Sequence, residues 1–511
     1  MARRNKTPNR LLRLPLFLLI WSIASLAMWI PATHALILDD HPTSRAFFYT
    51  GILGLFLVTL AGLSLGNRVP RYGMPGQLLS LLATFVILPL FLAIPVQESL
   101  RNTSFLNAYF DMVSAVTTTG ADIFADPGRL PPSLHLWRAI VAWLGGLLMW
   151  ISASAVLAPL SLGGFEVTAR GEPGGGTATP SQIQDADPKR RLIEIARTLG
   201  PVYGGLTLAL WILLMITGET PLVGASHAMS TLSTSGISAV GGVDKGTGGI
   251  GGEMVMFLFM FFALSRLTFS NDTVTVGSGR LDKDPEFRTG ILILVGMPVL
   301  LLFWHWLEAF EVGAHSEPLQ ALRSLWGMLF TVMSFLSTTG FESADWETTR
   351  AWSGLQTPGM ILLGLSVIGG GVATTAGGVK LLRVYALYLN GMRELERLVH
   401  PSSVSGEGSG NKRIQRNGAF VAWVFFMLFA LSLALISTAL SAVGSDFEQS
   451  LILAIASLST TGPLTEIAGN SPIVLTGLAP VAKLILCFAM VLGRLETLAI
   501  IALLSPNFWR S

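Results

Sequence analysis

Ser114-Ala115-Val116-Thr117-Thr118-Thr119-Gly120 has three counterparts further along the chain: Ser230-Thr231-Leu232-Ser233-Thr234-Ser235-Gly236, Ser334-Phe335-Leu336-Ser337-Thr338-Thr339-Gly340 and Ala456-Ser457-Leu458-Ser459-Thr460-Thr461-Gly462. Each ends in three hydroxyl residues and a glycine, between long apolar segments. The glycines are 116, 104 and 122 residues apart. One such tract reads as a helix end or a turn. Four in matched contexts read as four backbone loops set around one axis. In that arrangement carbonyl oxygens can replace the hydration shell of a cation. Glycine allows the backbone to turn its carbonyls toward the axis without a Cβ clash.

Composition fixes the solvent. Of 511 residues, 51% are hydrophobic and only 13% charged, with mean hydropathy +0.61. A soluble domain carries about 25% charged residues, so the chain is an all-α polytopic membrane protein. The one cysteine, Cys487, lies in an apolar run. It excludes an internal disulfide or a cysteine metal site and reads as a small buried hydrophobe. Arg3, Arg4, Lys6, Arg10 and Arg13 precede an apolar run over 14–38 that is long for a signal peptide and reads as a retained first helix.

Hydropathy predicts ten spans. Residues 1–70 hold two N-terminal helices, near 14–38 and 47–66. Four units of span, short pore helix, filter and span follow. Their spans are 77–97 with 135–162, 193–217 with 252–276, 288–312 with a broken 356–390, and 416–443 with 472–505. The units occupy 71–170, 171–279 (with a linker), 280–400 and 401–511 (with a linker). The apolar stretches before the filters, such as 105–116 and 319–336, suit re-entrant helices buried in protein. Basic residues cluster at the N-terminus, at Arg68 and Arg71, at Lys189-Arg190-Arg191, at Arg280, Lys283 and Arg288, and at Arg393, Arg397, Lys412, Arg413 and Arg416. Loops carrying the filters are poorer in them. The positive-inside rule then places both termini in the cytoplasm and opens the filters outward. The linkers at 171–188 and 401–410 read as flexible.

Two motifs mislead. Thr275-Val276-Gly277-Ser278-Gly279 mimics a channel filter but occurs once and runs into Arg280-Leu281-Asp282-Lys283. Gly246-Thr247-Gly248-Gly249-Ile250-Gly251 has dinucleotide-fingerprint spacing without a preceding strand, so it reads as an outer loop.

Together the four tracts, Asp284-Pro285-Glu286-Phe287-Arg288, the run Ile368–Lys380, Arg393-Glu394-Leu395-Glu396-Arg397-Leu398-Val399-His400-Pro401 and Gly493-Arg494-Leu495-Glu496 carry a resemblance. The chain resembles the Trk/Ktr/HKT superfamily of potassium transporters, and within it the Trk-type bacterial membrane subunit, over nearly its whole length. The resemblance implies four pseudo-symmetric repeats around one pore, a homodimer in the bacterial inner membrane and its lipid, and a cytoplasmic nucleotide-binding regulatory ring. It implies potassium binding at Thr118, Thr119, Gly120, Thr234, Ser235, Gly236, Thr338, Thr339, Gly340, Thr460, Thr461 and Gly462. Glycine in the first tract, where the sodium-preferring plant relatives carry serine, favours potassium.

Residues 369–378 hold five glycines inside a predicted span. Glycine costs about 1 kcal/mol per helical position relative to alanine, so the helix should break into a loop. Close helix packing on small residues is the competing reading. The family likeness makes the segment a gate, with Gly369, Gly370, Gly371, Thr374, Thr375, Gly377, Gly378, Lys380 and Arg494 as its residues. Arg494 lies at membrane depth and needs a partner or water. Glu496, two residues on, points elsewhere. Arg494 should repel cations in the pore or brace the loop. Lys380 closes the loop or snorkels to the surface. Asp122, Glu342, Asp345 and Glu466 follow filter glycines and form either an acidic vestibule or ordinary solvated charges. His305 and Glu308 near a span end allow a proton relay, a weaker reading.

The chain has no phosphate loop and no soluble domain able to hold ATP, so an enzyme is not expected. No cofactor and no nucleic-acid partner are expected, with potassium as the substrate. Potassium passage itself reads as channel-like or as proton- or sodium-coupled symport, and two alternatives remain open: a secondary transporter of a small solute built on broken helices, and an ion-conducting subunit driven by an ATPase partner.

Overall fold

The chain is described by a computed structural model at residues 14–65, 74–124, 126–158, 188–265, 284–312, 318–353, 358–400, 416–469, 471–496 and 500. The N-terminal basic cluster, Arg68, Arg71, most of both linkers, the 275–279 motif, Arg280, Lys283, Lys412 and Arg413 lie outside the described residues. So do the side chains of Lys189, Arg190, His305, Glu308 and Arg416.

Every regular element among the described residues is helical. Three N-terminal helices, α1 (Leu16–Ala27), α2 (Trp29–Ile37) and α3 (His41–Leu65), make two apolar stretches, since α1 and α2 run on through Met28. The α3 crossing packs through small residues: a Cβ at Gly51 would sit 2.9 Å from the Trp29 indole nitrogen, and one at Gly54 2.7 Å from the Phe91 ring. Close approach of this kind drives helix association where lipid offers no hydrophobic gain.

Grouped by the four units expected from sequence, the elements of repeat one are α4 (Met74–Val86), α5 (Leu88–Ser99), α6 (Phe105–Val116) and α7 (Pro132–Ser152). Repeat two comprises α8 (Pro188–Ile216), α9 (Pro221–Ser233) and α10 (Gly249–Met260). Repeat three holds α11 (Pro285–Val312), α12 (Pro318–Leu336), α13 (Trp346–Ser353), α14 (Pro358–Ile368) and α15 (Leu381–Val399). Repeat four holds α16 (Arg416–Ala442), α17 (Phe447–Leu458), α18 (Leu464–Ile467) and α19 (Pro480–Leu495). Among the described residues, six stretches are long and apolar enough to cross a membrane: Leu16–Ile37, His41–Leu65, Pro75–Ser99, Pro132–Leu157, Arg191–Ile216 and Gly418–Ala442. Their outward faces leave large apolar side chains uncovered, as at Ile37, Leu63 and Ile216. A soluble monomer rarely shows such a belt.

Helices α6, α9, α12 and α17 lie where the sequence places its pore helices, and α6 spans residues 105–116 as predicted. Chemistry at their starts explains the boundaries. The Ser104 hydroxyl accepts from the Asn107 amide at 3.3 Å, an N-cap for α6. In repeat two Pro221 opens α9 instead, at a position where its missing N–H costs nothing. All four are buried along most of their length.

Two predicted spans are interrupted among the described residues, and a third breaks as expected. In the span set at 252–276, α10 gives way to a tight turn at Phe261–Ala263, and the amide of Gly371 donates to the freed Ala263 carbonyl at 2.8 Å. In the last span, helix α19 runs from Pro480 to Leu495, and Glu496 adopts φ 64°. The third-repeat span is split: α14 stops at Ile368 and α15 begins at Leu381, as the glycine density requires.

Candidate functional site

The four hydroxyl-glycine tracts share one backbone solution. Thr118, Thr234, Thr338 and Thr460 have φ of 55°, 53°, 58° and 55°. A β-branched residue in the left-handed region is a genuine outlier, costing on the order of 1–3 kcal/mol and persisting only when its surroundings over-determine it. The same two bonds hold it each time. The amide of the third hydroxyl residue reaches back to a carbonyl of the pore helix, from Thr119, Ser235, Thr339 and Thr461 to Ser114, Ser230, Ser334 and Ala456, at 2.8, 3.0, 2.8 and 2.8 Å. The first and third hydroxyls then bond to each other: Thr117 with Thr119 at 2.8 Å, Ser233 with Ser235 at 3.1 Å, Ser337 with Thr339 at 2.9 Å and Ser459 with Thr461 at 3.2 Å. The repeated hydroxyl triplet is therefore the lock on a strained turn.

These turns meet. A Cβ on Gly120 would strike the Ser235 carbonyl, and one on Gly236 the Thr339 carbonyl. A Cβ on Gly340 would lie 2.9 Å from Pro463. The Gly462 amide donates to the Thr119 carbonyl at 2.6 Å. The tracts thus abut from the first through the fourth and back to the first, backbone against backbone except where Gly340 meets the Pro463 ring. No residue of the four hydroxyl triplets is more than 1% exposed. Fixed carbonyl dipoles at close quarters, shielded from solvent, can coordinate a dehydrated cation.

Residues 369–380 lie against this ring. The Thr375 hydroxyl donates to the Leu232 carbonyl at 3.0 Å, at the end of pore helix α9. The Gly377 amide donates to the Thr338 hydroxyl at 2.8 Å, and a Cβ there would strike the Ser459 carbonyl. One loop therefore touches the tracts of repeats two, three and four. Its glycines are needed for space: Gly369, Gly370 and Gly371 each face a backbone carbonyl too close for a side chain.

Cations tie the loop from inside the protein. Arg494 donates to the Thr375 carbonyl at 2.6 Å, while its Nε and Nη2 have no hydrogen-bond partner among the described residues. Both expected roles, bracing the loop and placing positive charge, are compatible with that geometry. Lys380 does not snorkel: it is buried and its Nζ donates to the Ala376 carbonyl. Its backbone, at φ 87°, turns the chain into α15 and commits the side chain to the interior. Glu496 finds its partner in Arg383, at 2.7 Å, and that guanidinium stacks 3.6 Å above the Phe425 ring. Glu286 reaches across from α11 to accept the Val372 amide at 2.8 Å. The sequence does not pair Arg383 or Glu286 with these partners, which lie 113 and 86 residues away.

On the other side of the ring, Asp122 departs from the vestibule reading. It is held by Arg138 at 2.9 Å, and Arg138 also binds Asp111 of α6 at 3.0 Å. The insertion-cost argument that picked out Arg494 applies equally to Arg138 inside α7. Glu342 is half-buried, and burial, followed by the charge of Asp244, pushes its carboxyl up to about 7. Glu466 is exposed and Asp345 half-exposed. Asp244, in the loop between α9 and α10, joins this group. The glycine-rich run at 246–251 holds no phosphate-type cradle: the Gly248 amide donates to the Glu219 carboxylate at 3.1 Å.

Comparison with known proteins agrees with this architecture. A family model described as TrkH, cation transport protein, matches residues 251–511. The Trk system potassium uptake protein TrkH of Vibrio parahaemolyticus is 31% identical over 420 residues, covering 80% of this chain and 81% of the relative. The Trk system potassium uptake protein TrkI of Halomonas elongata is 28% identical over 501 residues, covering 96% and 95%. The crystal structure of the potassium transporter TrkH from Vibrio parahaemolyticus aligns with a TM-score of 0.74 at 26% identity, over 98% of this chain and 99% of that one.

Proposed function

Since the chain belongs to the TrkH family of cation transport proteins, we propose that it takes up potassium across the bacterial cytoplasmic membrane through the ring of four hydroxyl-glycine tracts, gated by the loop at 369–380. It is a transport protein and not an enzyme, it carries no cofactor, and potassium is its substrate. The observation that carries this reading is the loop's direct bonding to the tracts, Thr375 to Leu232 and Gly377 to Thr338, while Arg494 holds the loop itself at Thr375. A segment so placed obstructs the path beneath the ring, and its displacement opens it.

The finer architecture belongs to the same proposal. Ten spans make two N-terminal crossings and four pseudo-repeats around one pore, with the repeat boundaries given above, both termini cytoplasmic and the chain a homodimer. A cytoplasmic nucleotide-binding regulator acts on α15, which runs directly from the loop and carries Arg393 and Arg397. Such a partner shifts the gate only by binding its two states with different affinity. The local repetition of φ and hydrogen bonding supports fourfold pseudo-symmetry. The differing flanks make it inexact.

The test is rubidium and sodium uptake into proteoliposomes holding the purified protein, with and without a proton gradient. Rubidium uptake exceeding sodium uptake supports the proposal, and persistence without the gradient makes the path channel-like whereas dependence makes it a symporter. Absence of cation uptake in both conditions, from the folded and inserted wild type and equally from a variant shortened within 369–378, refutes it.

A further inference from the structure

Each tract is a hairpin: a pore helix rises to the glycine and a limb leaves it. The residue nine before the glycine lies on the pore helix, and the residue two or three after it lies on the departing limb. In three of the four repeats those positions are tied across the hairpin, and their chemistry differs from repeat to repeat. In repeat one they are Asp111 and Asp122, joined through Arg138: its Nε binds Asp111 at 3.0 Å and its Nη2 binds Asp122 at 2.9 Å. In repeat two they are His227 and Ser238, joined directly at 2.9 Å. In repeat three the Thr331 hydroxyl accepts the Ser343 amide at a long 3.4 Å. In repeat four they are Leu453 and Leu464, both buried and neither able to make a polar tie through its side chain.

We propose that these pairs are cross-braces of graded strength, and that the ionic brace of repeat one makes Arg138 a positioning residue for ion selectivity. The inference rests on the tracts being the filter. Bonds to charged groups are about twice as strong as neutral ones, and a guanidinium fork fixes two carboxylates in direction as well as distance. Arg138 and Asp111 are each 1% exposed, so water does not loosen their bond. The brace spans the turn at Thr118 and Gly120, whose strained φ it helps to fix. A carbonyl that cannot relax inward discriminates against a smaller cation. Repeat one is therefore the rigid wall of the filter and repeat four the compliant one.

The experiment measures rubidium and sodium uptake in proteoliposomes for the wild type, Asp122→Asn, Arg138→Lys and Leu453→Val. Asp122→Asn keeps the shape and weakens the brace. Its rubidium-to-sodium ratio should fall about tenfold, the scale of one lost charged hydrogen bond. Arg138→Lys keeps the charge but loses the fork and should fall in between, and it answers the question if Asp122→Asn does not fold. Leu453→Val, at the equivalent position of repeat four, should leave the ratio near wild type. A lower total flux at an unchanged ratio in both brace variants would mean that the triad supplies only charge or stability, and would overturn the inference. A wild type that passes neither ion would instead overturn the filter reading itself.

Discussion

Gly120→Ser probes the ring most directly. Gly120 has φ 68°, and an added Cβ would collide with the Ser235 carbonyl and lie 2.8 Å from its carbon. Two costs combine. Left-handed backbone costs an L-residue about 1–2 kcal/mol. The clash is with backbone, which cannot rotate away as a flexible side chain would. Relief requires the Ser235 carbonyl to move, so one substitution perturbs repeats one and two together. If about 1–2 kcal/mol of that strain appears as lost preference between ions, the rubidium-to-sodium uptake ratio falls roughly 5–30-fold. Gly444→Ser is the matched control: it also has positive φ, at 103°, but no neighbour within 4 Å of its added Cβ. It should lose some stability and keep the ratio. Proteoliposome uptake of both ions, with thermal unfolding to establish folding, makes the comparison. A folded Gly120→Ser protein with a wild-type ratio would refute the assignment of the first tract.

Deleting several residues within 369–378 should raise basal rubidium flux without any cytoplasmic partner, because the bonds from Thr375 and Gly377 to the tracts are lost; unchanged flux in a folded deletion would identify the loop as packing. The Glu342 carboxyl, raised to about 7, is ionised above that pH and neutral below it. At low ionic strength rubidium flux should therefore drop as the medium is acidified through that pH, and Glu342→Gln should flatten that step; a step of equal size in the variant would remove Glu342 from the vestibule. Reversing Arg393 and Arg397 to glutamate should weaken binding of the regulator and blunt its activation while leaving the ion ratio intact. Arg397 offers little resistance to rearrangement, since its 2.8 Å pair with Glu394 is exposed. Unaltered pull-down and activation in the double variant would exclude α15 as the docking surface.

Local chemistry made much of this protein legible from sequence. The hydroxyl triplets announce the turns because each lock closes within the tract or with its own pore helix, as from Thr119 to Ser114. The glycines of 369–378 announce the broken span because helix propensity is a property of the segment. Arg494 stands out because a charge in an apolar run is costly wherever it lands. Partner choice was another matter. Only the folded chain brings Arg494 to the Thr375 carbonyl, Glu496 to Arg383, Glu286 to the Val372 amide and Asp122 to Arg138. It also buries Lys380, which hydropathy allowed to reach the surface. Hydropathy and propensity report what each segment requires of its surroundings. They do not say which distant segment meets the requirement, because a buried charge or amide accepts any partner of suitable chemistry and the packing of the helices selects among them.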